Sequence, residues 1–235
     1  TRLQGDWSSD VCSSDLMLRR ADAVVTTARS LFERLSGLHG RVVLVPNGWD
    51  ESLARDPLPP RPADLPPPPV AGFVGAWAPW IDGRLLEAVA ARLPRWQFAI
   101  IGPLHGRRPA RGPNIHHLGH RPHAALAAYL SHLDVGLIPF HLNEVTRAAN
   151  PVKLWEYLGA GLPVVSTPIP EVLPFRDHVA LAAEPAAFAR AVEAARNDDS
   201  PERREARRRL ARQNSWEARF ALLQSALADL LDGRT

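Results

Sequence analysis

The chain has 235 residues, of which 46% are hydrophobic and 23% are charged, and its formal net charge is +3. These values are typical of a globular domain, and no apolar run is long enough to cross a bilayer. A single cysteine, Cys12, excludes a disulfide framework and argues against a thiolate metal site, so we expect a cytoplasmic protein without a metal.

The first sixteen residues differ in character from the rest of the chain. The stretch GDWSSDVCSSDL, from Gly5 to Leu16, resembles the in-frame translation of a common sequencing-library adapter. We therefore expect residues 1–16 to be non-native and Cys12 to have no function. On this interpretation Met17 is an internal residue of a longer natural protein.

The next segments predict a small strand–helix–strand unit and then a connector. Residues 23–25 read as a strand, the following stretch has helical periodicity through Leu31 and Leu35, and RVVLVPNGWD is a β-branched run stopped by Pro46. The proline-rich residues 56–69 cannot form a helix or a central strand. This stretch is therefore the predicted domain boundary.

After residue 70, apolar runs alternate with helical patterns. The runs VAGFVGA, WQFAIIG, NIHHLG, DVGLIP, LPVVSTP and HVALAA predict strands. Apolar strands that are separated by helices indicate a parallel sheet covered on both faces. We expect an α/β, Rossmann-like domain over residues 70–214 and a helix over 215–235.

The arginine-rich stretch 203–213, RREARRRLARQ, has two interpretations. It could contact an anionic lipid surface or nucleic acid, or it could be a solvated helix face. The acids in PERREARRRL favour the solvated face, and the absence of interleaved aromatic residues argues against nucleic acid.

The densest polar pattern follows the predicted strand that ends at Pro139. Asn150 is a suitable N-cap and Pro151 suits a first helical position, so a helix is predicted to begin at the carboxyl edge of the sheet. Such an N-terminus favours a diphosphate. Lys153, the single lysine among 28 Lys and Arg residues, lies in the first turn, and Glu156 lies one turn later, where its carboxylate can accept sugar hydroxyls.

The stretch NPVKLWEYLGAGLPVVST resembles the donor-binding motif of GT-B glycosyltransferases of the family 4 type, in particular the branch similar to teichuronic-acid glycosyltransferases. The upstream stretch GFVGAWAPWIDGRLLEAVAARLPRWQFAIIGP is similar to the start of their donor domain. The resemblance implies that residues 17–55 are a remnant of the acceptor domain, 56–69 the linker, 70–214 the donor domain and 215–235 the terminal crossover helix.

The resemblance also implies roles for particular residues. Lys153 would bind the donor diphosphate and stabilise it as the leaving group, Glu156 would bind the ribose, and the nucleobase would lie near His120 and His123. The full set implied in donor binding is Gly75, Asn143, Thr146, Asn150, Pro151, Lys153, Leu154 and Glu156. Ala148 stands where the family often has a glutamate that contacts the donor sugar, so that contact is expected from Asn143, Thr146 or their neighbours, and the sugar and stereochemical outcome stay open.

The implied function is transfer of a hexose from a UDP- or GDP-type sugar to a glycan or lipid-linked acceptor, without a further cofactor, at the inner face of the membrane. Because most of the acceptor domain is absent, we expect the chain alone to be inactive. One alternative is an inactive nucleotide- or glycan-binding module. Another is a dinucleotide-dependent oxidoreductase, but GFVGAW lacks the required glycine spacing.

Two further features leave alternatives open at this point. Trp77 and Trp80 could line the donor cleft or belong to an exposed loop that packs onto the linker, and Asp82 could contact the donor or cap the next helix.

Overall fold

The computed structural model of the chain describes residues 16–54, 57–106 and 108–231. Cys12 and the rest of the adapter-like stretch before residue 16 lie outside these ranges. The chain divides into two compact units, one from the described parts of Thr1–Pro46 and Phe220–Thr235, the other from Asn47–Arg219.

The first unit contains the predicted strand–helix–strand pattern. Its elements are β1 (Val24–Thr26), α1 (Arg29–Ser36) and β2 (Val42–Leu44). The two strands pair in parallel, with Val24 opposite Val42. The ring nitrogens of His39 contact the carbonyl oxygens of Arg41 and Ala21, each at 3.0 Å, and so tie the loop before β2 to the segment before β1.

The second unit contains a six-stranded sheet, as predicted. Its strands are β3 (Val70–Val74), β4 (Gln97–Ile101), β5 (Ile115–Gly119), β6 (Val135–Ile138), β7 (Val164–Ser166) and β8 (Val179–Leu181). All neighbouring strands are parallel, in the order β5-β4-β3-β6-β7-β8. Every residue of β3 and β6 is buried, because helices cover both faces of the sheet. The strand order reverses between β3 and β6, which is where open α/β sheets bind ligands.

Helices connect these strands and flank the sheet. They are α2 (Gly83–Arg92), α3 (His123–Leu130), α4 (Glu144–Arg147), α5 (Val152–Ala160), α6 (Pro185–Asn197) and α7 (Pro201–Arg212). The last helix, α8 (Trp216–Leu231), begins in the second unit, and its residues from Phe220 onwards belong to the first unit. Helix α2 packs against α6, and α5 packs against α3 and α7. The short α4 lies in the polar stretch between β6 and α5. Among the residues that the structure describes, no helix is long and apolar enough to span a membrane.

The proline-rich segment differs from its prediction as a domain boundary. It lies within the second unit, and the two units divide earlier, between Pro46 and Asn47. Leu65 is buried, and the Tyr129 hydroxyl of α3 donates a hydrogen bond to Asp64 at 2.7 Å. The segment has turns and bends within residues 63–69, and Asp64 fastens it to α3, so it is not the free, extended connector that the prolines predict.

A tyrosine from α5 lies between the two central strands at their carboxyl ends. Backbone pairing of β3 with β6 extends only to Gly72 opposite Gly136. Beyond that point the Val74 amide donates to the Tyr157 hydroxyl at 2.8 Å, and this hydroxyl is 3.3 Å from the Leu137 carbonyl oxygen. Gly136 makes room for the ring, since a Cβ there would lie 2.6 Å from its Cγ. Tyr157 therefore replaces the backbone ladder where the strands diverge.

Candidate functional site

The N-terminus of α5 lies at the carboxyl edge of the sheet, as the sequence predicts, but its first residues differ from the prediction. Pro151 is the N-cap, with φ −76° and ψ 114°, and no side chain caps the helix. The prediction of Asn150 as the N-cap and Pro151 as the first helical residue is therefore wrong by one position. The first amides of α5 receive no side-chain acceptor, which suits an anionic ligand.

Asn150 is drawn away from the cap by two partners. Its Oδ1 accepts a hydrogen bond from the Asn47 amide at 3.1 Å, and its Nδ2 donates to Glu171 Oε2 at 2.8 Å. The Asn47 side chain also donates to the Asn150 carbonyl at 2.7 Å. The oxygen and the nitrogen of the Asn150 amide are both engaged by protein groups, so neither is left to cap α5.

Lys153 lies in the first turn of α5, against the glycine that follows β3. A Cβ on Gly75 would overlap Cε and Nζ of Lys153, and Gly75 has φ +142°, which disfavours any other residue. The structure thus brings together two of the predicted site residues from distant parts of the sequence. The lysine ammonium is placed at the end of a central strand, beside backbone that a ligand can approach closely.

Glu156 is buried one turn further along α5, with 9% of its surface exposed. Its Oε2 has no hydrogen-bond partner among the described residues. Burial raises the pKa of this carboxyl, whereas the positive charges of Lys153 and His123 act to lower it and the charge of Asp50 acts to raise it. A buried carboxylate oxygen without a partner is costly to the folded state, which favours a ligand that supplies hydroxyl donors.

His123 and Asp50 stand near this carboxylate. His123 is the first residue of α3, and its Nε2 is 3.5 Å from Asp50 Oδ2. His120 is exposed just after β5. Sequence reasoning selected both histidines but missed Asp50. Asp50 was missed because it lies in the short turn NGWD, far in sequence from the other site residues, and nothing else in the sequence marked it as a candidate.

Asn143 and Thr146 are committed to the short helix α4. They form a reciprocal capping box, in which each backbone amide donates to the other side chain at 3.0 Å. The Thr146 hydroxyl also donates to the His141 carbonyl, and the residue is fully buried. The Thr146 side chain is therefore enclosed and paired within its own loop. Ala148 follows as the C-terminal residue of this turn.

Other candidate residues serve packing and capping. Leu154 is buried in the core. Trp77 is buried edge-on against Phe73 of β3 and so does not lie in an exposed loop, whereas Trp80 is 40% exposed. Asp82 caps α2 by accepting from the Leu85 amide at 2.9 Å, which confirms the capping alternative. Within the described ranges, no three His, Cys, Asp or Glu side chains are grouped as metal ligands would be.

The sequence relatives identify the family. A model of the family described as "Glycosyl transferase-like" matches residues 83–225, more than half of the chain. The chain belongs to this family. It is also 28% identical over 162 residues to TuaH of Bacillus subtilis, whose name describes it as a glycosyltransferase of teichuronic acid biosynthesis. That match covers 64% of the chain and 41% of TuaH.

Solved structures share the fold of this family member. A sucrose-phosphate synthase from Thermosynechococcus elongatus is 21% identical, with a TM-score of 0.61, and the match covers 99% of this chain and 63% of that one. HepE of Anabaena, solved in complex with UDP and glucose, is 15% identical with a TM-score of 0.69, over 96% and 67% of the two chains. The predicted Rossmann-like α/β fold of the GT-B class is confirmed, and the chain spans less than two thirds of the length of TuaH and of the synthase.

Proposed function

We propose that this chain is the donor-binding half of a glycosyltransferase that uses a nucleoside-diphosphate hexose of the UDP or GDP type. One observation carries the proposal: Glu156 Oε2 is buried without a partner among the described residues, one turn from Lys153 and close to a helix N-terminus that none of their side chains caps. This arrangement offers a cationic group to a phosphate and an acceptor to hydroxyl groups. A nucleoside diphosphate carries both of these groups a short distance apart.

The diphosphate would be held by Lys153 and the first amides of α5. Gly75 leaves room for the ammonium at the end of β3, because a side chain at that position would occupy the space of the ammonium. As the bond between the anomeric carbon and the diphosphate oxygen breaks, negative charge grows on the leaving group. A fixed ammonium and helix N-terminus stabilise that charge without reorganising.

The ribose hydroxyls would donate to the Glu156 carboxylate. Two hydroxyl donors would satisfy its unpartnered oxygen and favour the ionised form, against the effect of burial on its pKa. His120 and His123 would border the nucleobase. Asp50 lies beside His123 and would also be near the nucleobase. We expect these three residues to distinguish UDP from GDP.

The relatives are consistent with this function. HepE was solved with UDP and glucose, and TuaH is named for teichuronic acid biosynthesis. We therefore expect a glycan or lipid-linked acceptor in the synthesis of a cell-envelope polysaccharide, at the inner face of the membrane. We expect the chain to bind its donor and to require the remaining acceptor domain for transfer.

A second candidate is a nucleotide- or glycan-binding module without catalysis. The observation that favours it is Ala148, which stands where the resembled family often has a glutamate in contact with the donor sugar. Sugar transfer by the natural full-length protein would exclude this candidate. Nucleotide binding without transfer would favour it.

Calorimetric titration with UDP and with GDP tests the proposed site. We expect wild-type protein to bind one of them, and Lys153→Ala to weaken that binding by about 10- to 100-fold, because charge-assisted hydrogen bonds to phosphate are lost. Arg203→Ala is the matched control. It removes one exposed positive charge beside Pro163 and His178, at the opposite edge of the sheet, and should leave the affinity unchanged. Equal affinity in wild type and Lys153→Ala would contradict the assignment.

A further inference from the structure

The chain passes between its two compact units after Pro46 and after Arg219, and the segments just inside the second unit lie side by side. The Trp49 amide donates to the Asn214 carbonyl at 2.8 Å, and the Trp216 amide donates to the Trp49 carbonyl at 3.0 Å. These bonds form a parallel bridge between Trp49 and Ser215. We call residues 47–50 and 214–216 the crossing ribbon.

Close backbone approach strengthens the ribbon. A Cβ on Gly48 would lie 2.9 Å from the Ser215 carbonyl carbon, so only glycine allows the two segments to come so near. The Arg219 guanidinium donates to the Asn47 carbonyl at 3.3 Å and also to Asn214 Oδ1. The two passages of the chain are thus joined by backbone and side-chain bonds into one element.

The ribbon is attached to both ends of α5. At the N-terminal end, Asn47 makes its two hydrogen bonds with Asn150, directly before Pro151 and the helix. At the C-terminal end, the Trp49 indole covers Gly159, where a Cβ would overlap the ring. The next ribbon residue, Asp50, pairs with His123, and its charge acts on Glu156.

We propose that Asn150 is a positioning residue that couples nucleotide binding at α5 to the crossing ribbon. The inference rests on the proposed function, because it takes the N-terminus of α5 as the diphosphate site. The Asn47 side chain holds the backbone carbonyl of Asn150, the residue before the helix cap, and Glu171 accepts a hydrogen bond from the Asn150 side-chain amide. The direction of the first amides of α5 therefore depends on the ribbon, and a bound diphosphate restrains the ribbon in return, since such coupling is reciprocal.

Asparagine variants test this coupling through UDP affinity. We expect Asn47→Ala and Asn150→Ala each to weaken UDP binding by about three- to tenfold, the usual effect of one or two lost hydrogen bonds. Asn47→Ala removes the bond to the Asn150 carbonyl, and Asn150→Ala removes the bond from the Asn47 amide. Because both bonds hold the same junction, the double variant should lose less affinity than the two single losses combined. Additive losses, or single losses within the error of titration, would overturn the proposal.

Asn114→Ala is the matched control for a merely structural effect. The Asn114 side chain donates to the carbonyls of Ala90, Leu93 and Trp96, at the opposite edge of the sheet from α5. Its loss should lower thermal stability at least as much as the ribbon variants do, while UDP affinity stays at the wild-type value. A similar loss of affinity in this control would show that general destabilisation is the cause, and the proposal would fail.

Hydrogen exchange tests the coupling both without a ligand and with UDP. In the free protein, Asn47→Ala should speed amide exchange over residues 152–156, and Asn114→Ala should not. In wild type, UDP should slow exchange at the Asn47 and Trp49 amides. Unchanged exchange over residues 152–156 would overturn the inference even if UDP binds. If wild type binds neither UDP nor GDP, the proposed function fails and the exchange over 152–156 alone decides on the ribbon.

Discussion

The turn at α4 and the first turns of α5 are close in sequence and similar in composition, but they use their polar groups in opposite ways. In α4, Asn143 and Thr146 satisfy each other and the backbone around them. In α5, the helix start has no side-chain cap and Glu156 keeps a buried oxygen without a partner. A polar residue at the carboxyl edge of a sheet is therefore a ligand candidate only if its own loop does not already satisfy it.

After Lys153→Ala, the largest expected loss of UDP affinity comes from Gly75→Ala. The new Cβ would occupy the space of the Lys153 ammonium at a backbone angle that alanine disfavours. We expect about a tenfold or greater loss of affinity, together with a stability loss of about 1–3 kcal/mol. Gly106→Ala is the control, because Gly106 also has a positive φ, of +64°, but has open space around it. Calorimetry on both variants separates the loss of the lysine position from backbone strain, and equal affinity for both would contradict the placement of Lys153.

Glu156→Gln should weaken UDP binding by about three- to tenfold at neutral pH, because the charged acceptor is lost. The same change should raise the free energy of unfolding of the ligand-free protein. Burial raises the pKa of Glu156 in the folded state, so wild-type stability falls as the pH rises from the ordinary glutamate pKa through the raised one, and the glutamine variant lacks this fall.

The pH dependence of the two affinities gives the sharper result for Glu156. If Glu156 binds the ribose as proposed, only its ionised form would accept from both hydroxyls, so the advantage of wild type over Glu156→Gln should shrink as the pH falls through the raised pKa. The ratio of the two affinities cancels the titration of the nucleotide itself. A ratio that does not vary with pH would mean that this carboxylate does not bind the ribose.

Lys153→Arg tests whether the site needs a compact ammonium. The positive charge is kept, but a planar guanidinium has to fit beside Gly75, where a single added carbon would already overlap the lysine. We expect about a threefold to fivefold loss of UDP affinity, smaller than for Lys153→Ala. Affinity equal to wild type would show that charge alone is recognised.

Thr146→Val should have the smallest effect on UDP affinity and a clear effect on stability. Removing the hydroxyl leaves the His141 carbonyl and the Asn143 amide without their partner, at a cost of about 1–3 kcal/mol in the free energy of unfolding. Chemical denaturation measures that loss, and titration measures the affinity. A loss of UDP affinity larger than twofold would remove the distinction between the two turns.

The fold was largely predictable, because each strand of the second unit is a short apolar run between breakers and each long helix has a clear period. Lys153 and Glu156 could also be found, since their spacing places them on one helix side and the lysine stands alone among arginines. Asn150 could not be interpreted correctly, because Asn47, the partner that draws it from the cap, lies 103 residues away in sequence. The attachment of the proline-rich segment to α3 could not be predicted either, because Tyr129, the partner of Asp64, is also distant in sequence.

Tyr157, which lies between β3 and β6, fixes the position of the site residues on α5. It is the next residue after Glu156, and its hydroxyl takes the place of a backbone group in the sheet. Helix α5 therefore cannot slide or turn about its axis without breaking hydrogen bonds at the centre of the domain. The positions of Lys153 and Glu156 relative to the strand ends and Gly75 are therefore set by α5 and its hydrogen bonds to the central strands, and not by the loops that lead to the helix.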